Sequence, residues 1–309
     1  MSNSALQTLL ELPFATANEP LAKHTTMKVG GPARVWVQPN TPEELVHFLQ
    51  LNTRLGVPLY VLGAGSNIVA SENGFAGVVL NLGKGFNWSR AEENLLIAGG
   101  SAYLPKLTKF AIENRLGNFE WACGIPGSLG GSLWGNAGAR GFNGHEFEGR
   151  DSAADFHSCV AYDRKGNRIE LGKNDVQFSY RKSSLGELVV VEATFALKPL
   201  SAEEAKTHKE AVRGLLEKRR QTQPANAASA GCIWKNPKGE GILGAGALVD
   251  KYGLKGTEIN GARVSEIHGN FVINAGGASS RDVLELVELV EARIKSEAGI
   301  ELEREARFI

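Results

Sequence analysis

VPLYVLGAGSNIVA, residues Val57 to Ala70, carries an apolar run straight into a glycine turn. The run predicts a buried strand. The turn, Gly63-Ala64-Gly65-Ser66-Asn67, predicts a backbone that comes close to something, because glycines admit positive φ and let successive N–H groups point at a phosphate. Alone, this pentapeptide is equally compatible with an ordinary tight turn. It is not the GxGxxG dinucleotide fingerprint, since no third glycine opens a helix with an acidic residue about 20 positions on. A Rossmann fold is therefore disfavoured.

Outward from this stretch the signals alternate irregularly. Thr41-Pro42-Glu43-Glu44 reads as a capping box opening a helix with Leu45, Phe48 and Leu49 on its apolar stripe. Strand signals at Gly77 to Asn81 and Leu95 to Ala98 precede a helix expected over 104–114. SCVAYDRKGNRIEL predicts a hairpin turning at Lys165-Gly166-Asn167, and ELVVVEATFAL another strand. Ser201-Ala202-Glu203-Glu204 is a second capping box, starting a long polar helix that ends at Lys218-Arg219-Arg220 before Pro224. A last helix is expected over 280–298, with Val283, Val287, Val290 and Ile294 on one face. This is an α+β pattern, without strict βαβα alternation.

At 309 residues the chain exceeds one ordinary core, so two or three domains are expected. Lys plus Arg and Asp plus Glu each total 34, which leaves no net field to hold nucleic acid. The first twenty residues contain no Lys or Arg and only a broken apolar run, unlike a signal peptide. No stretch reaches the roughly 18 to 20 apolar residues of a spanning helix. Cys123, Cys159 and Cys232 form no CxxC pair and no zinc-binding spacing with histidine, so reduced thiols, no metal and a cytoplasmic location are expected.

Between Gly124 and Gly144 the chain is dense in glycine and almost uncharged. Each glycine loses the most backbone entropy on folding, so such a tract suggests a large flat ligand lying against the backbone, or a glycine-rich structural crossover. Taken singly, Arg181 in FSYRKSS reads as a surface charge. Cys232 in SAGCIWKNP reads as an inert core thiol, and Glu305 and Arg307 in LEREARFI as a solvated strand face.

Their joint order is more informative. HTTMKVGGPA at His24 to Ala33, then GAGSN, GIPGSLGG, YRKS, SAGCIWKNP and the closing EREARF resemble the UDP-N-acetylenolpyruvoylglucosamine reductase family over about residues 20 to 309. The resemblance implies a vanillyl-alcohol-oxidase-type FAD-binding fold of two subdomains, 1–75 and 76–200. It also implies a substrate-binding α+β domain, 201–309, whose tail returns to the active site. It implies noncovalent FAD held by Gly63, Ala64, Gly65, Ser66, Asn67, Ile125, Gly127, Ser128, Gly130, Gly131 and Gly138, with NADPH as hydride donor. The product implied is UDP-N-acetylmuramate for peptidoglycan. Arg181 and Glu305 match the family's pair that stabilises the enolic intermediate, and Cys232 falls at the proton donor, a serine or cysteine in this family. Asn236 and Arg307 match substrate contacts, with Lys235 adjacent. Arg140 stands where many members have a tyrosine that touches the substrate pyrophosphate. The chain lacks the insertion of longer members and so resembles the shorter subclass. Two alternatives remain at this stage: an FAD-dependent sugar or alcohol oxidase of the same fold, and a non-catalytic flavin- or sugar-nucleotide-binding protein.

Overall fold

The computed structural model describes residues 3–139 and 150–309. The chain divides into two compact units. One takes residues up to Ala17, then Val35–Ala64 and Gly77–Glu217; the other takes Asn18–Arg34, Gly65–Ala76 and Lys218–Ile309.

In the first unit, α1 (Asn3–Leu10) is followed by α2 (Pro42–Leu55). The Thr41 hydroxyl accepts from the Glu44 N–H at 3.2 Å, as a capping residue should. The Glu44 carboxylate accepts from the N–H of Asn40 at 2.6 Å, one residue earlier than in a standard capping box. Leu45, Phe48 and Leu49 are fully buried beside Val35, Val37, Val78 and Leu80. A four-stranded sheet runs in the order Ala15–Pro20, Pro32–Val37, Phe75–Leu80, Leu59–Val61. The strand expected from the run after Val57 is thus only three residues long and half-buried. It lies at the sheet's edge, where pairing is available on one side only.

A second, antiparallel sheet is ordered Arg168–Gly172, Phe156–Tyr162, Val189–Ala196, Leu95–Gly99, Ser89–Glu92. Its first connection is the expected hairpin. The Asp163 carboxylate accepts from Lys165 N, Asn167 N and Asn167 Nδ2 at 2.8 to 2.9 Å, and the Asn167 bonds hold its carboxyl below the usual range. The helices α3 (Leu104–Glu113) and α4 (Leu129–Trp134) add Leu104, Leu107, Leu129 and Leu133 to a core with Phe119, Phe156 and Phe195. The long helix α5 (Ala202–Thr222) starts at the expected box, with Ser201 and Glu204 exchanging bonds of 3.1 and 2.8 Å.

The second unit centres on an antiparallel sheet ordered Ala228–Cys232, Phe271–Asn274, Ala262–Val264, Glu258–Ile259. Helix α6 (Ala245–Lys251) and helix α7 (Ser280–Ala298) contribute to its core. Ser279 and Asp282 form a full capping box, and Val283, Val287, Val290 and Ile294 are wholly buried, as the 3.6-residue period predicts. Met27, Val29, Val69 and Ala306 join the same core, which brings three distant segments of chain together. The C-terminal strand Arg307–Phe308 runs parallel to Ile68–Val69.

Candidate active site

The glycine loop after Val61 is fixed through its carbonyls. Asn81 Nδ2 donates to Leu62 O at 2.8 Å and to Gly63 O at 2.9 Å. Thr26 N donates to Gly65 O at 3.1 Å, and Arg307 N to Asn67 O at 3.0 Å. Among the described residues, no main-chain N–H from Gly63 to Asn67 has a protein acceptor. Carbonyls engaged and N–H groups unclaimed is the polarity of an anion-binding nest, which is what the pyrophosphate of FAD requires. Gly65 has φ +63°, and a Cβ there would lie 1.9 Å from His24 O, so only glycine closes this loop.

Within the first unit, a Cβ on Gly63 would lie 2.5 Å from Ser128 Oγ, so the first glycine loop touches the second glycine tract. That tract is laced to the segment before α3: Leu104 N donates to Gly127 O at 3.0 Å, Leu129 N to Ala102 O at 2.9 Å, and Gly130 N to Gly100 O at 2.8 Å. Part of its glycine content answers to the protein itself. A Cβ on Gly130 would sit 3.1 Å from Val190 O, and one on Gly138 would sit 2.5 Å from Asp151 Cβ. Gly131 is exposed and a Cβ there would meet only Ser128 Oγ, at 3.2 Å, so this position leaves backbone open to a ligand. Ile125 is half-buried against the same core.

The second unit carries Cys232, Lys235, Asn236, Glu305 and Arg307. Glu305 N donates to Ile233 O at 2.7 Å, next to Cys232, and Asn67 Nδ2 donates to Glu305 O at 3.1 Å. Cys232, Glu305 and the glycine loop are thereby tied to one another through main-chain bonds. The Cys232 residue is half-buried, whereas Cys123 and Cys159 are buried. Burial pushes the Cys159 thiol up to about 12, which makes it a poor nucleophile and a poor acid. Lys235 pairs with Glu303, and its N–H donates to Glu303 O at 2.8 Å. Asn236 uses Oδ1 to cap α6, accepting from Ala245 N at 3.0 Å, a role the sequence did not announce. Arg307 is exposed on the last strand.

Arg181 belongs to the first unit. It occupies a two-residue turn between Phe178–Ser179 and Lys182–Ser183, with φ +58° and its guanidinium 5.1 Å from the Tyr180 ring centroid. A non-glycine residue in this conformation is strained, and such strain collects at functional positions. The turn is held by Asn136 Nδ2 to Ser179 O at 3.0 Å and Ser183 Oγ to Trp134 O at 2.8 Å. Arg140 lies outside the described residues. Thr26 and Asn81 organise the loop without a role expected from the sequence: Thr26 stands inside the motif from His24 to Ala33, and Asn81 closes the strand signal that starts at Gly77. Among the described residues there is no cluster of His, Cys, Asp and Glu suited to a metal ion, and no helix long and apolar enough to cross a membrane.

Comparison with known proteins bears on this arrangement. A family model described as "UDP-N-acetylenolpyruvoylglucosamine reductase, C-terminal domain" matches residues 223–309, and one described as "FAD binding domain" matches 33–147. The chain is 38% identical over 296 residues to UDP-N-acetylenolpyruvoylglucosamine reductase from Clostridium perfringens, covering 95% of this chain and 92% of the relative. The enzyme of the same name from Heliobacterium modesticaldum is 37% identical, covering 94% and 89%. The crystal structure of UDP-N-acetylenolpyruvylglucosamine reductase from Thermus caldophilus superposes with a TM-score of 0.76 at 31% identity, covering 95% of this chain and 97% of that one. The fold is therefore α+β, with a vanillyl-alcohol-oxidase-type FAD-binding fold and a reductase-type C-terminal domain. The chain belongs to the UDP-N-acetylenolpyruvoylglucosamine reductase family.

Proposed function

We propose that this flavin-dependent oxidoreductase uses NADPH to reduce UDP-N-acetylglucosamine enolpyruvate to UDP-N-acetylmuramate, a peptidoglycan precursor, in the cytoplasm. The observation that carries the reading is the junction in the second unit, where one C-terminal tail ties Glu305 to both the strand of Cys232 and the glycine loop. The proposed division of labour gives FAD to segments 1–75 and 76–200, and the sugar nucleotide to 201–309. Bound noncovalently by the glycine segments assigned below, FAD would supply a two-electron carrier between NADPH and the methylene carbon of the enol ether.

Negative charge then develops toward the substrate carboxylate. Arg181 and Glu305, the latter as a hydrogen-bond donor, are assigned to stabilising that charge where it forms. The adjacent carbon needs a proton. A thiol, with a reference pKa near 8.5, is protonated at neutral pH and is a better acid than a serine hydroxyl, so Cys232 is assigned that transfer. Lys235, Asn236, Arg307 and Arg140 are assigned to the nucleotide and its pyrophosphate. The free N–H groups from Gly63 to Asn67, together with Ile125, Gly127, Ser128, Gly130, Gly131 and Gly138, are assigned to FAD.

The test is the visible spectrum of the purified protein. Yellow colour bleached by anaerobic NADPH and restored by the enolpyruvyl nucleotide is the expected result. Colour restored by oxygen and not by the nucleotide would instead favour an oxidase and overturn the proposal.

A further inference from the structure

Thr26 reaches both the glycine loop and the strand of Cys232, through two separate donors. Its main-chain N–H donates to Gly65 O at 3.1 Å. Its hydroxyl donates to Ser229 O at 2.6 Å, across a sequence separation of 203 residues. The hydroxyl also lies 3.4 Å from Gly65 O, but it has a single proton, and the shorter contact takes it.

Ser229 is where the ladder beneath Cys232 breaks. Ser229 pairs with Ile273, the next pair is Cys232 with Phe271, and the register shifts between them. A bulge of this kind re-aims the side chain that follows it, and pairing on one side leaves its tilt open. The far end of the bulge is fixed by Ile233 N to Asn270 O and Trp234 N to Asn270 Oδ1, both at 2.9 Å. The near end is held by the Thr26 hydroxyl.

We propose that Thr26 is a positioning residue for proton transfer: its hydroxyl sets the direction in which the bulge presents the Cys232 thiol, while its N–H keeps the glycine loop in register with that thiol. This inference rests on the assignment of Cys232 as proton donor made above.

The two bonds separate cleanly by substitution. Thr26→Val keeps the shape and the main-chain N–H and removes only the hydroxyl; Thr26→Ser keeps the hydroxyl. In anaerobic stopped flow, the valine holoenzyme should be reduced by NADPH at nearly the parent rate. Its reoxidation by the enolpyruvyl nucleotide should be about 10- to 100-fold slower, because a displacement of about 1 Å at a reacting group costs up to about 10²-fold. Thr26→Ser should restore most of that rate. Unchanged reoxidation in the valine variant, equal slowing of both half-reactions, or loss of flavin would each overturn the proposal. Should the valine variant not fold, Thr26→Ala, which places no methyl at the hydroxyl position, replaces it.

A second readout needs neither flavin nor substrate. With Cys123 and Cys159 buried, iodoacetamide labelling of the flavin-free protein, mapped by peptide mass, reports the presentation of Cys232. The labelling rate should change in Thr26→Val and return in Thr26→Ser; identical rates overturn the proposal. A parent protein that the nucleotide does not reoxidise would defeat the proposed function, and the labelling comparison would still decide the role of Thr26.

Discussion

Removing the Glu291 carboxylate tests how the tail that bears Glu305 and Arg307 is held. Glu291 lies on α7 and accepts from the Trp234 indole N–H at 2.9 Å while gripping Arg304 through two bonds of 2.7 Å. Trp234 is wholly buried, so Glu291→Ala leaves its N–H without an acceptor, at a cost of about 1–3 kcal/mol. The Arg304–Glu291 pair has side chains 31% and 21% exposed, and Arg304 keeps Glu288 at 3.7 Å. Solvent screening limits that pair to about 1 kcal/mol. The alanine variant should therefore lose about 2–4 kcal/mol in total. Glu291→Gln offers its amide oxygen to the indole and removes only the charge, so it should lose about 1 kcal/mol. Urea unfolding followed by tryptophan fluorescence measures both. In the alanine variant, trypsin should also cut after Arg304 faster, because the bidentate clamp that shields this bond is gone. Equal stabilities for the alanine and glutamine variants would refute the reasoning, since the indole bond would then contribute nothing.

Two further perturbations bear on the chemistry. Cys232→Ala should leave flavin reduction by NADPH nearly intact and slow reoxidation by the enolpyruvyl nucleotide by about 10² to 10⁴, the usual loss for a positioned general acid, with Cys232→Ser recovering much of it. Anaerobic stopped flow decides this, and wild-type reoxidation in the alanine variant would make Cys232 a packing residue. Gly65→Ala should abolish FAD retention on gel filtration, because the new Cβ would lie 1.9 Å from His24 O. Gly56→Ala, with the similar φ of +62° and open space around it, should cost only about 1–2 kcal/mol and keep the flavin.

The elements legible in the sequence are those whose determinants are local. The capping box at Ser201, the buried stripe of α7, and the Asp163–Asn167 turn each depend on residues within a few positions of one another. The apolar run after Val57 misleads because hydrophobicity reports burial and not sheet position, and an edge strand of three residues has the same composition as a longer central one. The glycine loop is legible as a close approach of backbone, but which of its groups are free is not. That depends on Asn81, Thr26 and Arg307 claiming its carbonyls, and these donors are dispersed along the chain with no period to reveal them. Asn236 shows the converse. It is proposed as a substrate contact, yet its Oδ1 is engaged at the start of α6, so it is the side-chain NH₂ that is left for a ligand. An amide donor suits a phosphate oxygen and an amide acceptor does not, so the capping bond leaves the residue with the group that the proposed role would need.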